Sequence, residues 1–153
     1  MNTDPRFAYR ENAARGASPI GRVVLLYEQV IKDLGAAITA LSNQDIQLRT
    51  QSLNHALLVI GQLQACLDLE RGGDVARNLD RFYGLVLKRL LEAQVRASAE
   101  ILREQMDLLL SVRAAWVEAE NAETRELEPT EGHGTQSPAA APRVDTQPSH
   151  WRA

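Results

Sequence analysis

Apolar positions recur along the chain at helical intervals. Ile20, Val23, Tyr27, Val30, Leu34, Ile38 and Leu41 step by three and four, which predicts a first long helix. Ser42-Asn43-Gln44-Asp45 is a polar turn signal. A second helix carries Leu53, Leu57, Ile60, Leu63 and Leu67, and Gly72-Gly73 is expected to end it, because glycine accepts the left-handed backbone common just past a helix C-terminus. Asp74 is a candidate cap for a third helix carrying Val75, Leu79, Phe82, Val86, Leu90 and Ala93. Ser98 is a candidate cap for a fourth, which carries Leu102, Met106, Leu109, Val112 and Trp116, with Glu100 suited to the positive end of its dipole. Neither Gly nor Pro marks this last boundary. The alternative is one helix from Asp74 to Glu120, about 70 Å long at about 1.5 Å per residue, and the short connections elsewhere argue for the break.

Proline sets the limits of this helical body. Pro5 and Pro19 precede it, Pro129, Pro138, Pro142 and Pro148 follow it, and none lies between Ile20 and Glu128. Ser18 is an N-cap whose hydroxyl can accept a bond from a free first-turn N–H, and Pro19 fits the first helical position, where no N–H is needed. Beyond about Thr124 the chain shifts to Glu, Pro, Ala, Gly, Thr and Ser, a composition that cannot bury enough apolar surface to offset its ordering entropy. The predicted organisation is an N-terminal arm over residues 1–17, an antiparallel four-helix bundle over 18–122 and a disordered tail over 123–153. The fold class is all-α.

Each helix also has apolar residues beside its main stripe: Leu25, Leu26 and Ile31, then Leu58 and Val59, then Tyr83, Leu85, Leu87 and Leu91. A closed bundle needs a stripe of about 100° per helix. These wider stripes either complete an ordinary core or leave a surface for the arm or a partner to cover. Phe7 and Tyr9 give the arm the aromatic side chains to dock into a groove.

Composition narrows the chemistry. Of 153 residues 44% are hydrophobic but only 5% aromatic, so Leu, Ala and Val must fill the core, as packed helices allow. The net charge of −3 lacks the clustered basic face of a nucleic-acid binder. No apolar run approaches the roughly 20 residues of a membrane span, and the N-terminus shows no apolar signal-peptide region. Cys66 is the single cysteine. No internal disulfide can form, the expected compartment is the reducing cytoplasm, and the thiol reads as a small buried apolar side chain. His55, His133 and His150 make no Glu-x-x-His pair, and Gly72-Gly73 lacks the strand and the Lys-Ser/Thr of a phosphate loop. Asp68/Glu70 and Glu118/Glu120 read as solvated helix ends. No catalytic residue, metal site or cofactor is expected. Trp151, near the end of the tail, reads as part of an inert segment or as a short docking motif.

Several segments in series resemble the flagellar secretion chaperone FliS family. Ala8-Tyr9-Arg10-Glu11-Asn12, Ala17-Ser18-Pro19 and Leu25-Leu26-Tyr27 are similar to its Ala-Tyr, Ala-Ser-Pro and Met-Leu-Tyr-Asp-Gly series. Leu67-Asp68-Leu69-Glu70-Arg71-Gly72-Gly73-Asp74-Val75-Ala76-Arg77-Asn78-Leu79 resembles its Leu-Asp-x-Glu-x-Gly-Gly-Glu-Ile-Ala-x-Asn-Leu segment. Phe82-Tyr83, Lys88-Arg89-Leu90 and Glu92-Ala93 follow in family order, and Val112-Arg113-Ala114-Ala115-Trp116 resembles its closing Arg-x-x-Trp. Glu28-Gln29 stands where the family has Asp-Gly, Gly21-Arg22 where it has a charged residue and Leu, and Ala97-Ser98-Ala99 where it has Asn-Asp-Pro. The similarity covers residues 5–120.

The resemblance implies a helical bundle with a short N-terminal cap helix. It also implies a chaperone that binds the disordered C-terminal segment of flagellin, prevents its premature polymerisation and delivers it to the type III export gate. On that basis Phe7 and Tyr9 are expected as arm plugs and Leu26, Tyr27 and Val30 as groove residues. Tyr83 and Asn78 are expected to contribute from the third helix, Asn78 by bonding partner backbone. Ordinary packing is the alternative at each position. A second reading is a module that sequesters an anti-sigma factor or another flagellar assembly regulator, and a third is an enzyme or metal-binding bundle. An unfilled groove also favours weak self-association into a homodimer through exposed apolar surface.

Overall fold

The computed structural model describes residues 5–128, apart from the side chains of Phe7, Ala8, Glu11 and Asn12. Five helices follow in order: α1 (Pro5–Ala17), α2 (Pro19–Ser42), α3 (Ile46–Ala65), α4 (Gly73–Arg96) and α5 (Ala99–Leu127). There is no strand among the described residues. Short connections make α2 to α5 run alternately up and down. α2 packs on α3 and α5, α3 on α4, and α4 on α5, so the four form a closed square with α2 and α4 on one diagonal. α1 packs on the outside of α2. The expected all-α bundle is the observed fold.

Local chemistry sets the corners. Ser18 has extended backbone, and its hydroxyl accepts from Gly21 N at 2.9 Å, with Pro19 opening α2. Asp45 caps α3 by accepting from Leu48 N at 2.9 Å, after Gln44 has turned the chain at φ 56°. The break before α5 falls at Ala97–Ser98. Ala97 adopts a left-handed φ of 51°, and the Ser98 hydroxyl accepts from Ile101 N at 3.3 Å. A single helix from Asp74 to Glu120 is therefore excluded.

The connection between α3 and α4 differs from the sequence expectation. α3 stops at Ala65 rather than at the glycine pair, and Gly73 opens α4 instead of closing α3. The intervening turn is organised by Asp68, whose carboxylate accepts from Glu70 N at 3.1 Å and Arg71 N at 2.9 Å. Gly72 has no room for a Cβ, which would fall 2.4 Å from Ala76 Cβ and 2.7 Å from the Asp68 carbonyl oxygen. Gly73 needs its φ of 56° to redirect the chain. Asp74 is not the cap. It lies inside the first turn of α4 and pairs with Arg77 at 2.7 Å. At the other end α5 runs past the boundary drawn at 122 to Leu127. Nothing interrupts its Glu- and Ala-rich sequence before Pro129, and these residues have good helix propensity. The rest of the predicted tail, residues 129–153 with Trp151, lies outside the described residues.

The core runs the length of the square. Tyr27, Val30 and Leu34 from α2 meet Leu53 and Ile60 from α3, Tyr83, Val86 and Leu90 from α4, and Leu102 and Leu109 from α5. All are essentially inaccessible to solvent. The few aromatic residues do not weaken this packing, because branched aliphatic side chains fill the space between the helices.

Candidate partner-binding groove

At the end of the bundle where α2 and α4 begin and α3 ends, the helices do not close over one another. A cavity of about 580 Å³ opens there. Pro19, Val23 and Leu26 line it from α2. Leu63 of α3, with Cys66, Leu67 and Asp68 of the following turn, forms a second wall, and Val75, Leu79 and Tyr83 of α4 a third. Trp116 of α5 completes it, and Arg22 and Asp68 place one charge of each sign on its lining. The turn at 66–72 separates the end of α3 from the start of α4. Their apolar stripes therefore continue past the point where the opposite helices can cover them.

The phenol of Tyr83 lies on the floor of the cavity, and that of Tyr27 is buried beneath it. The Tyr27 hydroxyl donates to the Tyr83 hydroxyl at 2.8 Å, linking the two diagonal helices through the centre of the bundle. The rings lie 6.2 Å apart at 56°, and Phe82 stands 5.7 Å from Tyr83. Burial pushes both phenols above their ordinary ionisation range. For Tyr27 the hydrogen bond to Tyr83 and the nearby Trp116 indole offset part of that rise. Both remain neutral at physiological pH. The Trp116 Nε1 atom is buried without a hydrogen bond; it stands close enough to favour the Tyr27 phenolate but outside bonding geometry.

Beside the groove, one carboxylate fastens three helices. Glu28 Oε1 accepts from Arg15 Nη1 of α1 at 3.1 Å and from Arg113 Nε of α5 at 3.1 Å, and Arg113 Nη2 donates to the same oxygen. Arg15 Nε also pairs with Glu120 at 3.3 Å. Gln29 does not line the cavity; it donates to Asp33 at 3.0 Å, and Asp33 in turn contacts His55 Nδ1 at 2.6 Å. His55 is a surface helix residue in an ion-pair position.

The structure distributes the expected partner-binding residues over several environments. Leu26 and Tyr83 line the cavity. Tyr27 and Val30 are fully buried in the core beneath it. Asn78 is exposed on α4, about 100° around the helix from the lining residue Leu79. Tyr9 is 77% exposed on α1 and does not line the cavity, while the Phe7 side chain lies outside the described residues. Cys66 corrects the expectation of a buried thiol, since it is exposed on the cavity lining. Sequence reasoning assigned Val23, Leu63, Leu67, Val75, Leu79 and Trp116 to the core stripes. Leu63, Leu67, Val75 and Leu79 flank the Asp68–Gly73 turn, whereas Val23 of α2 and Trp116 of α5 come to the lining only through the assembly of the bundle.

The family model described as flagellar protein FliS matches residues 2–123. The chain belongs to the FliS family. Among its FliS relatives, the flagellar secretion chaperone FliSB of Pseudomonas aeruginosa is 35% identical over 100 residues, covering 65% of this chain and 79% of the relative. The flagellar secretion chaperone FliS of Salmonella typhimurium is 33% identical over 107 residues, covering 69% and 79%. That of Bacillus subtilis is 24% identical over 123 residues, covering 80% and 91%. FliS is a family of chaperones for flagellar secretion and not of enzymes. The matched region takes in α1, the whole groove and the Glu28 clamp. Among the described residues no helix is long and apolar enough to cross a membrane, and no group of three or more His, Cys, Asp or Glu is placed to hold a metal ion.

Proposed function

We propose that this chain is a cytoplasmic chaperone for flagellin. It holds the disordered C-terminal segment of flagellin, keeps it from polymerising prematurely and hands it to the type III export apparatus. The observation that carries this reading is the apolar groove at the α3–α4 turn in a chain of a flagellar secretion chaperone family. Its volume of about 580 Å³ lies within the roughly 300–1,000 Å³ of cavities that enclose a bound group. An amphipathic segment folding onto such a surface presents anchors at i, i+3, i+4 and i+7. The ordering entropy lost by the segment lowers affinity, but folding on binding lets it cover a large area of the chaperone. Val75 and Leu79, four residues apart on α4, provide one such strip of wall.

Seeded polymerisation of flagellin monomers tests the reading. Equimolar chain is expected to suppress filament growth. Val75→Glu, at a site 67% exposed that lines the groove, is expected to require at least about tenfold more protein for the same suppression, because it places an unpaired charge against apolar surface. Unchanged filament growth with excess wild-type chain contradicts the proposal.

A further inference from the structure

The hydrogen atoms at the groove floor do not all find acceptors within the chain. Three donor groups meet there: the Trp116 indole N–H and the hydroxyls of Tyr27 and Tyr83. The fold forms one hydrogen bond among them, from Tyr27 to Tyr83 at 2.8 Å. Trp116 Nε1 is buried with no acceptor. The indole has no lone pair to offer, and two hydroxyls facing one another use only one of their two hydrogens. A rotation that brought the indole N–H onto Tyr27 would still leave a hydroxyl hydrogen open on Tyr83. At least one donor on this floor therefore has no acceptor among the chain's own atoms. Tyr83 is 1% exposed, and both it and Trp116 line the cavity. Leaving a buried donor open is costly, and nearly all such groups in folded proteins have a partner.

We infer that the bound segment supplies the missing acceptor, an amide carbonyl oxygen seated on the Trp116–Tyr83 floor. This rests on the flagellin reading above and adds a chemical requirement to it. A wholly apolar anchor would bury the open donor deeper and lose affinity. A carbonyl inside a continuous helix is already engaged by its own helix, so the acceptor is a carbonyl of the last helical turn or of an extended stretch, or the side chain of Asn or Gln. Trp116 thus selects for one free amide carbonyl in an otherwise apolar contact.

Nuclear magnetic resonance of the full chain tests this directly. The sequence has two tryptophans, so in a Trp151→Phe background a single indole N–H resonance reports Trp116. Adding a synthetic peptide of the flagellin C-terminal segment is expected to move that resonance downfield and slow its exchange with solvent. By calorimetry, Trp116→Phe is expected to bind the same peptide about fivefold more weakly, the effect of one net hydrogen bond, with its helical melting profile retained. Binding with an unmoved indole resonance and equal affinity for Trp116→Phe overturns the inference while leaving the flagellin reading standing. No binding of the peptide by the Trp151→Phe chain or the wild type overturns that reading and the inference with it.

Discussion

Tyr27→Ala is expected to lower unfolding stability by about 3–5 kcal/mol, the usual effect of removing a fully buried aromatic side chain. Tyr27 has no exposed surface, packs in the main core and forms the hydrogen bond that joins α2 to α4 across the square. Truncation leaves a cavity in the middle of the bundle and also takes away the partner of Tyr83. Native domains have about 5–15 kcal/mol of total stability, so the variant is expected to unfold at a much lower urea concentration. Tyr27→Phe keeps the ring and is expected to lose only about 1–3 kcal/mol, the effect of one broken buried hydrogen bond. Urea titrations followed by circular dichroism measure both. A Tyr27→Ala chain with the wild-type midpoint would show that the residue is not part of the core. The sequence resemblance suggests Tyr27 as a groove wall, and a loss of peptide binding in Tyr27→Ala would mimic that role. The unfolding curve separates the two.

Gly21→Ala is expected to destabilise the chain by about 2–4 kcal/mol and release α1. In an ordinary helix interior this exchange stabilises by up to about 1 kcal/mol, so its sign is diagnostic. A Cβ at position 21 would fall 1.8 Å from the Arg15 carbonyl oxygen and 2.7 Å from Ser18 Oγ. The backbone of α1 must then retreat. Overpacking of this kind costs about 1–3 kcal/mol, and displacing the Ser18 cap adds about 1 kcal/mol. Gly35 in the same helix is the control, since a Cβ there meets nothing within 4 Å and Gly35→Ala is expected to be neutral or stabilising. Amide hydrogen exchange across Pro5–Ala17 should rise in Gly21→Ala and not in Gly35→Ala. Equal protection of α1 in both variants would show that the corner tolerates the extra methyl group.

The bundle was legible because its determinants are local and repeated. The three- and four-residue steps of Tyr27, Val30 and Leu34 or of Val86 and Leu90 define helix faces without any knowledge of their neighbours. Ser18 and Ser98 announce helix starts through a hydroxyl placed three residues before a free N–H. The α3–α4 turn was less legible. A glycine pair marks a change of direction, but whether it closes one helix or opens the next depends on the Asp68 carboxylate capturing two backbone N–H groups. The groove was legible only in part. Leu26 and Tyr83 could be placed on the lining, whereas Leu67, Val75 and Trp116 look like any other core positions until the helices are assembled. Glu28 illustrates the same limit. Its sequence neighbourhood marks it as a departure from the family pattern, but its two arginine partners come from α1 and α5, the second of them far along the chain.

Cys66 offers the most direct measurement of the central claim, that the flagellin C-terminal segment occupies this groove. It is the single cysteine of the chain, it is exposed, and it lines the cavity. Its rate of reaction with a thiol reagent can therefore be followed in the unaltered protein while the segment is titrated in. The expected result is a rate that falls in proportion to occupancy, to at most about a tenth of the free value at saturation for a site enclosed by its occupant. A Cys66 that reacts at the same rate in the presence of saturating, demonstrably bound segment would contradict the account and place the binding surface elsewhere on the bundle.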